Sequence, residues 1–286
     1  MGYTAKPAIY GALAAQRCGV AHIVPMVTGL GYAFLEGGGA KHALIRRIMT
    51  ALYARAFRAS HGVIFHNSDD AQVLKDAGIL PEELAITVSR GSGVDLTHYA
   101  CEPVPAVTDG VTFLMIARLV RYKGVAEYCE AARLLRDKDL NARCLLVGPA
   151  ESGPAGFPAE ELENYADVIT YLGPSDDVRA HIRGVHVYVL PSYGEGMPRT
   201  VLEALALGRP VITTNARGCR ETVTEGVNGY LVPIRNAPAL ADAMERFITQ
   251  PACIPGMAAQ GRKLAEAEFD VAHVNKTMLK ALGLGS

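Results

Sequence analysis

Two cations and two glutamates are the residues of this sequence whose types and spacing suggest chemistry. Arg118 and Lys123 flank one short loop, ARLVRYKG (117–124), behind an apolar run. Arginine supplies a planar fork and lysine a point charge, so the pair can clamp a diphosphate. The same pair also reads as two solvated surface charges. Glu195 and Glu203 stand on either side of Gly196, Met197, Pro198 and Thr200 in YGEGMPRTVLEALA (193–206). Gly196 lets the backbone approach a ligand closely, Pro198 suits the first turn of a helix, and the free N–H groups of that turn attract an anion. A carboxylate at Glu203, inside VLEALAL, is costly among apolar neighbours unless donors meet it, and a ribose diol offers two. Glu195 can accept from sugar hydroxyls. Without further context the two read as an ordinary loop glutamate and a helix glutamate that reaches water.

The surrounding pattern repeats a β-rich run, a Gly or Pro turn and an amphipathic helix. Strands are predicted over 111–117, 143–148, 167–173, 186–192, 210–214 and 228–233, with helices near 123–137, 158–164, 176–183, 199–207 and 237–248. Apolar strands alternating with helices specify a parallel sheet covered on both faces, the doubly wound α/β plan, whose ligands collect beyond the strands' carboxyl ends. The first ninety residues follow the same grammar, with strands at 22–27, 62–67 and 84–88 and helices near 9–17, 41–58 and 69–77. Three strands make a thin sheet, and this lobe is expected to be incomplete at its N-terminus. The Pro-rich stretch CEPVPAVTDG (101–110) is the expected linker between a domain over 1–100 and one over 111–255. A last helix, about 256–282 within the segment 256–286, is expected to pack back on the first domain.

A chain of 286 residues, half of them apolar, accommodates two such domains, and a net charge of −1 makes no demand for nucleic acid. The six cysteines lack CxxC or zinc spacing and read as reduced thiols. The opening lacks a charged segment followed by an apolar one, and no run reaches 18 uninterrupted apolar residues, so a cytoplasmic protein is expected. Segment 41–61 has five Arg/Lys and no acid, with Ile45, Ile48, Met49, Leu52 and Ala56 at helical spacing. Its apolar stripe reads as core; its basic remainder is a solvated face, or lies against anionic headgroups and a lipid diphosphate. The run Gly37-Gly38-Gly39 lacks the Gly-Lys-Ser/Thr ending of a phosphate loop and reads as a turn. His22, His42, His61, His66 and His98 have no ligand spacing and read as structural or solvated.

EGMPRTVLEALALGRPVITT, with Glu195 and Glu203, resembles the Glu-x7-Glu signature of retaining GT-B glycosyltransferases of family four, and Arg118 and Lys123 match that family's cation pair. GSGVDLTHY (91–99) is similar to its interdomain segment, and VIFHNSDDAQVL (63–74) and VTGLGYAF (27–34) to motifs of its acceptor lobe, where Thr28, Gly29 and Gly31 fall. The closest likeness within the family is to transferases that extend lipid-linked sugars in bacterial capsule, O-antigen or protein-glycan assembly. The resemblance implies two doubly wound Rossmann-like domains facing a cleft, a UDP-sugar donor, retention at the anomeric carbon, and a saccharide acceptor, for this subgroup undecaprenyl-diphosphate-linked, met at the cytoplasmic face of the inner membrane. It implies that Arg118 and Lys123 hold the leaving diphosphate, Glu203 the ribose, and Glu195 the donor sugar with the N–H groups of Gly196 and Met197, while Pro198 and Thr200 complete the donor-binding segment. It also implies no metal cofactor, and the second lobe has no Asp-x-Asp at a strand end. Many members carry a histidine where Val27-Thr28-Gly29 stands here. Two other readings stay open: a UDP-sugar 2-epimerase-like enzyme, and a nucleotide-sugar-binding remnant without transfer.

Overall fold

The computed structural model describes residues 1–34 and 39–284, with Tyr32 and Lys41 described by their backbone alone. Gly37 and Gly38 of the glycine run lie outside the described residues. The chain divides into two compact units, Met1–Gly93 with Gly194–Pro198 and Glu268–Ser286, and Val94–Tyr193 with Arg199–Ala267.

The first unit contains α1 (Ala5–Arg17), β1 (Met26–Val27), α2 (Ala40–Arg58), β2 (Gly62–Phe65), α3 (Ser68–Asp76) and β3 (Ala85–Val88). Its three strands are parallel in the order β1-β2-β3, with Met26 opposite Ile64 and Val63 opposite Ile86. Side chains of a strand alternate between faces. Phe65 and Val63 therefore join Ile9, Tyr53 and Phe57 in one core, while Ile64 joins Val24 and Met26 in another. The strand expected over 22–27 is only two residues long because Pro25 has no N–H for the ladder. The stripe assigned to the core on α2 is also corrected. Ala56 is buried and Met49 and Leu52 pack against the core, but Ile45 and Ile48 are exposed, with Leu44 beside them at 58%.

The second unit is a six-stranded, wholly parallel sheet in the order β6-β5-β4-β7-β8-β9. Its elements are β4 (Val111–Ile116), α4 (Val125–Asp137), β5 (Ala142–Val147), α5 (Ala159–Glu163), β6 (Ile169–Tyr171), α6 (Arg179–Arg183), β7 (Val187–Leu190), α7 (Arg199–Ala206), β8 (Val211–Thr214), β9 (Gly229–Val232), α8 (Ala237–Thr249) and α9 (Ile254–Glu268). The order turns at β4 and β7: the chain winds outward through β5 and β6, then returns and winds the other way. Such a switch point is where loops part and ligands enter an open α/β sheet.

The helix expected over 256–282 is two helices, α9 and α10 (Val271–Ala281). Phe269 is fully buried at the break, and Asp270 caps α10 by accepting from the Ala272 N–H at 2.9 Å. Residues up to Ala267 group with the second unit and those from Glu268 with the first, where Met278, Ala281 and Leu282 cover the Val24–Met26–Ile64 cluster.

One charged side chain holds the base of the second unit. Arg209 is fully buried, and its guanidinium donates to the carbonyls of Glu102, Pro103, Ile182, Arg183, Leu207 and Gly208 at 2.9–3.4 Å. It thereby ties the Pro-rich stretch 102–103 to the ends of α6 and α7. Burial lowers its pKa, and the carbonyls offset that desolvation. Arg209→Met is expected to cost about 3–5 kcal/mol, since it strands buried carbonyls, and Arg209→Lys to recover less than half, lacking the fork. Urea unfolding of the full chain measures both.

Candidate functional site

The second unit carries the cation loop and the helix glutamate. Beyond β4 the chain runs beside the segment that follows β5. Leu119 N–H donates to Pro149 O at 2.9 Å and Phe157 N–H to Leu119 O at 2.8 Å. A single 3-10 turn, Arg121–Lys123, separates β4 from α4, so Lys123 ends that turn and does not open the helix. Gly124 joins turn to helix at φ 78°, and a Cβ there would lie 2.1 Å from Pro191 O, so only glycine closes this corner. Arg118 spreads its fork between Glu151, whose Oε1 accepts at 2.9 Å, and the Tyr122 hydroxyl at 3.0 Å. Tyr122, then Glu151, hold its pKa above the ordinary arginine value. The side chain is 56% exposed, and an ion pair so wetted is worth no more than about 1 kcal/mol.

Glu203 is 5% exposed in the second turn of α7. The sequence offers a ribose diol or water to meet a carboxylate there, and the protein itself supplies two donors. Tyr99 OH donates to Oε1 at 2.9 Å, and Arg199 Nε donates to the same oxygen at 3.0 Å from one helical turn earlier. Burial, then the Glu203 carboxylate, pushes the Tyr99 phenol up to about 12, which keeps it a donor. No partner to Oε2 is recorded among the described residues. Thr200 is anchored elsewhere: Tyr188 OH donates to its Oγ1 at 2.6 Å, and Oγ1 lies 3.4 Å from Ile116 O at the end of β4. Tyr193, after β7, donates its hydroxyl to Glu127 Oε1 at 2.6 Å beneath the Arg235 guanidinium, which lies 4.8 Å from the ring centroid.

The five residues Gly194–Pro198 belong to the first unit. Glu195, Gly196 and Met197 are half-buried and Pro198 is buried. The need for glycine at position 196 is met here by protein backbone, not by a ligand: a Cβ would sit 1.6 Å from Thr28 O. Gly29, at φ 139°, lies against the same residue. The structure thus brings Thr28 and Gly29 to Gly196, while Gly31 turns away at φ 66° into the 3-10 turn Tyr32–Phe34. Below them, Asn67 caps α3, its Oδ1 accepting Asp70 N–H at 2.7 Å, and Asp70 Oδ2 accepts from Leu30 N–H at 3.2 Å. His61 is structural, accepting from Ile23 N–H at 3.1 Å. His66 is buried, and burial pushes it down to about 4, so it is neutral at physiological pH.

Tyr99 and Asn67 are the site residues that sequence reading missed. Both lie in motifs the sequence singled out, GSGVDLTHY and VIFHNSDDAQVL. A tyrosine there signals no partner by itself, and an asparagine before Ser-Asp-Asp signals a helix cap only. Among the described residues no cluster of three or more His, Cys, Asp or Glu is arranged to hold a metal ion.

Comparison with known proteins finds likeness in sequence over the second unit and in fold over the chain. Residues 110–250 match the family model described as "Glycosyl transferases group 1". Over 254 residues the chain is 30% identical to N,N'-diacetylbacillosaminyl-diphospho-undecaprenol alpha-1,3-N-acetylgalactosaminyltransferase of Campylobacter jejuni, covering 85% of this chain and 65% of that one. It is 25% identical over 260 residues to UDP-Gal:alpha-D-GlcNAc-diphosphoundecaprenol alpha-1,3-galactosyltransferase of Escherichia coli, covering 85% and 64%. The chain thus spans less than two thirds of the length of either relative. Among solved structures, Anabaena Alr3699/HepE in complex with UDP superposes with a TM-score of 0.79 at 21% identity over 98% of this chain and 78% of that one. By sequence, residues 110–250 match the group 1 glycosyl transferases, and by fold the chain across its length has the GT-B architecture.

Proposed function

We propose that this chain is a retaining transferase that moves a hexose or N-acetylhexosamine from a UDP-sugar to a saccharide acceptor linked to undecaprenyl diphosphate. The observation that carries the reading is the Glu203 carboxylate. It is buried and aligned by Tyr99 and Arg199 through one oxygen, which leaves Oε2 for a ribose hydroxyl. Arg118 and Lys123 take the diphosphate. Exchanging the wetted Glu151 partner for a phosphate oxygen costs Arg118 little and gains a charge-assisted pair. Glu195, with the Gly196 and Met197 N–H groups, takes the donor sugar. The cations supply the countercharge for the leaving UDP in place of a metal. The acceptor class comes from the two relatives whose names specify diphospho-undecaprenol substrates.

The same reading assigns a cytoplasmic chain docked on anionic lipid. Among the described residues no helix is long and apolar enough to cross a membrane. On α2, Leu44, Ile45 and Ile48 are exposed among the exposed Arg46, Arg47, Arg55 and Arg58. Basic residues around exposed apolar ones form the pattern that settles at a headgroup boundary.

The test of the function is a screen of labelled UDP-sugars against undecaprenyl-diphosphate-linked saccharides, with EDTA present throughout. A new glycoside of retained anomeric configuration is expected. Epimerised donor, or binding with no product, would instead favour the epimerase-like or remnant reading.

Arg118→Ala and Lys123→Ala are each expected to weaken UDP binding by roughly tenfold to a hundredfold, the scale of one charge-assisted contact, and to leave uridine within about twofold. Calorimetry with both ligands checks this, and equal losses would contradict the clamp.

In co-sedimentation the chain is expected to bind vesicles containing phosphatidylglycerol and not neutral ones. The paired change Arg46→Glu and Arg47→Glu should weaken binding by at least about tenfold, from roughly 1 kcal/mol per basic residue near the surface. Binding indifferent to lipid charge would rule this surface out.

A further inference from the structure

Asn67 is fully buried and uses both ends of its amide. Its Oδ1 accepts the α3 cap bond from Asp70 N–H, which fixes the other end as the NH2 group. That group faces three acceptors: Gly196 O at 2.5 Å, Asp70 Oδ2 at 3.1 Å and Glu195 O at 3.4 Å. A helix cap needs only the oxygen, and serine or aspartate would serve as well. The amide nitrogen is therefore explained by the second job, holding two successive carbonyls of the 194–198 segment, which belongs to the same unit.

The consequence follows from peptide geometry. In a planar trans peptide the C=O of one residue and the N–H of the next point in opposite directions. With Glu195 O and Gly196 O drawn to Asn67, the N–H groups of Gly196 and Met197 are turned to the opposite side. Neither has a backbone acceptor recorded among the described residues. Two successive N–H groups aimed the same way form a small concavity of positive potential. Thr28 O and Gly29, packed on Gly196, stop the peptide from flipping back.

We propose that Asn67 is a positioning residue for transfer: it orients the Gly196 and Met197 N–H groups toward the donor sugar, acting from the first unit on a segment that sequence reading treats as part of the donor lobe. This rests on the reading that residues 195–197 hold that sugar.

The test uses the full chain with Asn67→Ser, which keeps a cap oxygen but is too short to reach Gly196. Asn67→Asp keeps size and cap and replaces the donor with an acceptor. Glu195→Gln is run in parallel. Affinities for UDP, UDP-glucose, UDP-galactose, UDP-N-acetylglucosamine and UDP-N-acetylgalactosamine are measured by calorimetry, together with the rate of UDP release from each sugar nucleotide. Both Asn67 variants should slow release by at least about tenfold, the scale on which small misplacements act, and leave affinity for UDP itself within about twofold. If Glu195→Gln slows release and neither Asn67 variant does, the positioning role is wrong and the reading of the segment stands. If none of the three has an effect, the reading of the segment fails and takes this proposal with it. Equal loss of UDP and sugar-nucleotide binding, or failure of both Asn67 variants to fold, would make Asn67 a structural cap alone and overturn the proposal.

Discussion

The arrangement of this chain depends on one constraint of parallel sheets: each strand is left at its carboxyl end by a segment that must cross over before the next strand begins. Those segments gather along one edge, and where the strand order turns, two of them part. In the second unit the turn falls between β4 and β7. The segment after β4 holds Arg118 and Lys123, and the segment after β7 leads through Glu195 to α7 and Glu203. In the first unit, Thr28 and Gly29 follow β1 and Asn67 follows β2. Within each unit the residues with proposed chemistry are thus gathered by topology, with no need for closeness in sequence.

Buried polar groups separate structure from function by how completely they are satisfied. Arg209 has five N–H donors and six acceptors, all of them carbonyls of its own unit, so nothing is left for a ligand. Glu203 is nearly as deep, yet both of its recorded donors share one oxygen. Arg118 is at the other extreme, wetted and held by partners it can exchange. Stability asks for saturation. A site asks for a group aligned by part of its capacity and open in the rest.

The regular parts of this architecture were legible because they are periodic. Nine predicted strands and their helices alternate as the structure has them, and Arg118 and both glutamates stand where the loops and α7 were expected, while Lys123 falls in the 3-10 turn before the helix it was expected to open. What escaped was decided by tertiary contacts. The break at Phe269 and Asp270 interrupts a pattern that reads as continuous helix, because Phe269 is buried in the chain between two helices. Ile45 and Ile48 keep helical spacing with Met49 and Leu52, but periodicity cannot say how much of a stripe a neighbour covers. Gly196 reads in sequence as a close approach to a ligand, whereas the contact that requires glycine is made by Thr28, which no local pattern announces. Tyr99 and Asn67 act over separations of 104 and 129 residues, beyond any local pattern.

Net charge conceals a further division that bears on how such a chain would meet its substrates. The first 68 residues hold seven Lys/Arg and a single acid, Glu36, while the other 218 hold 21 Lys/Arg and 28 Asp/Glu. The total of −1 is therefore a near cancellation of opposite parts. An anionic bilayer attracts the first and repels the second, and at physiological salt such fields act over about 8 Å, so only residues near the surface feel them. Charge alone would draw α1 and α2 toward lipid, and the exposed Leu44, Ile45 and Ile48 would add an apolar contact that salt does not screen. On the proposed reading this ordering matters to catalysis: a lipid-linked acceptor cannot leave the surface, whereas a soluble nucleotide sugar reaches the second unit by diffusion.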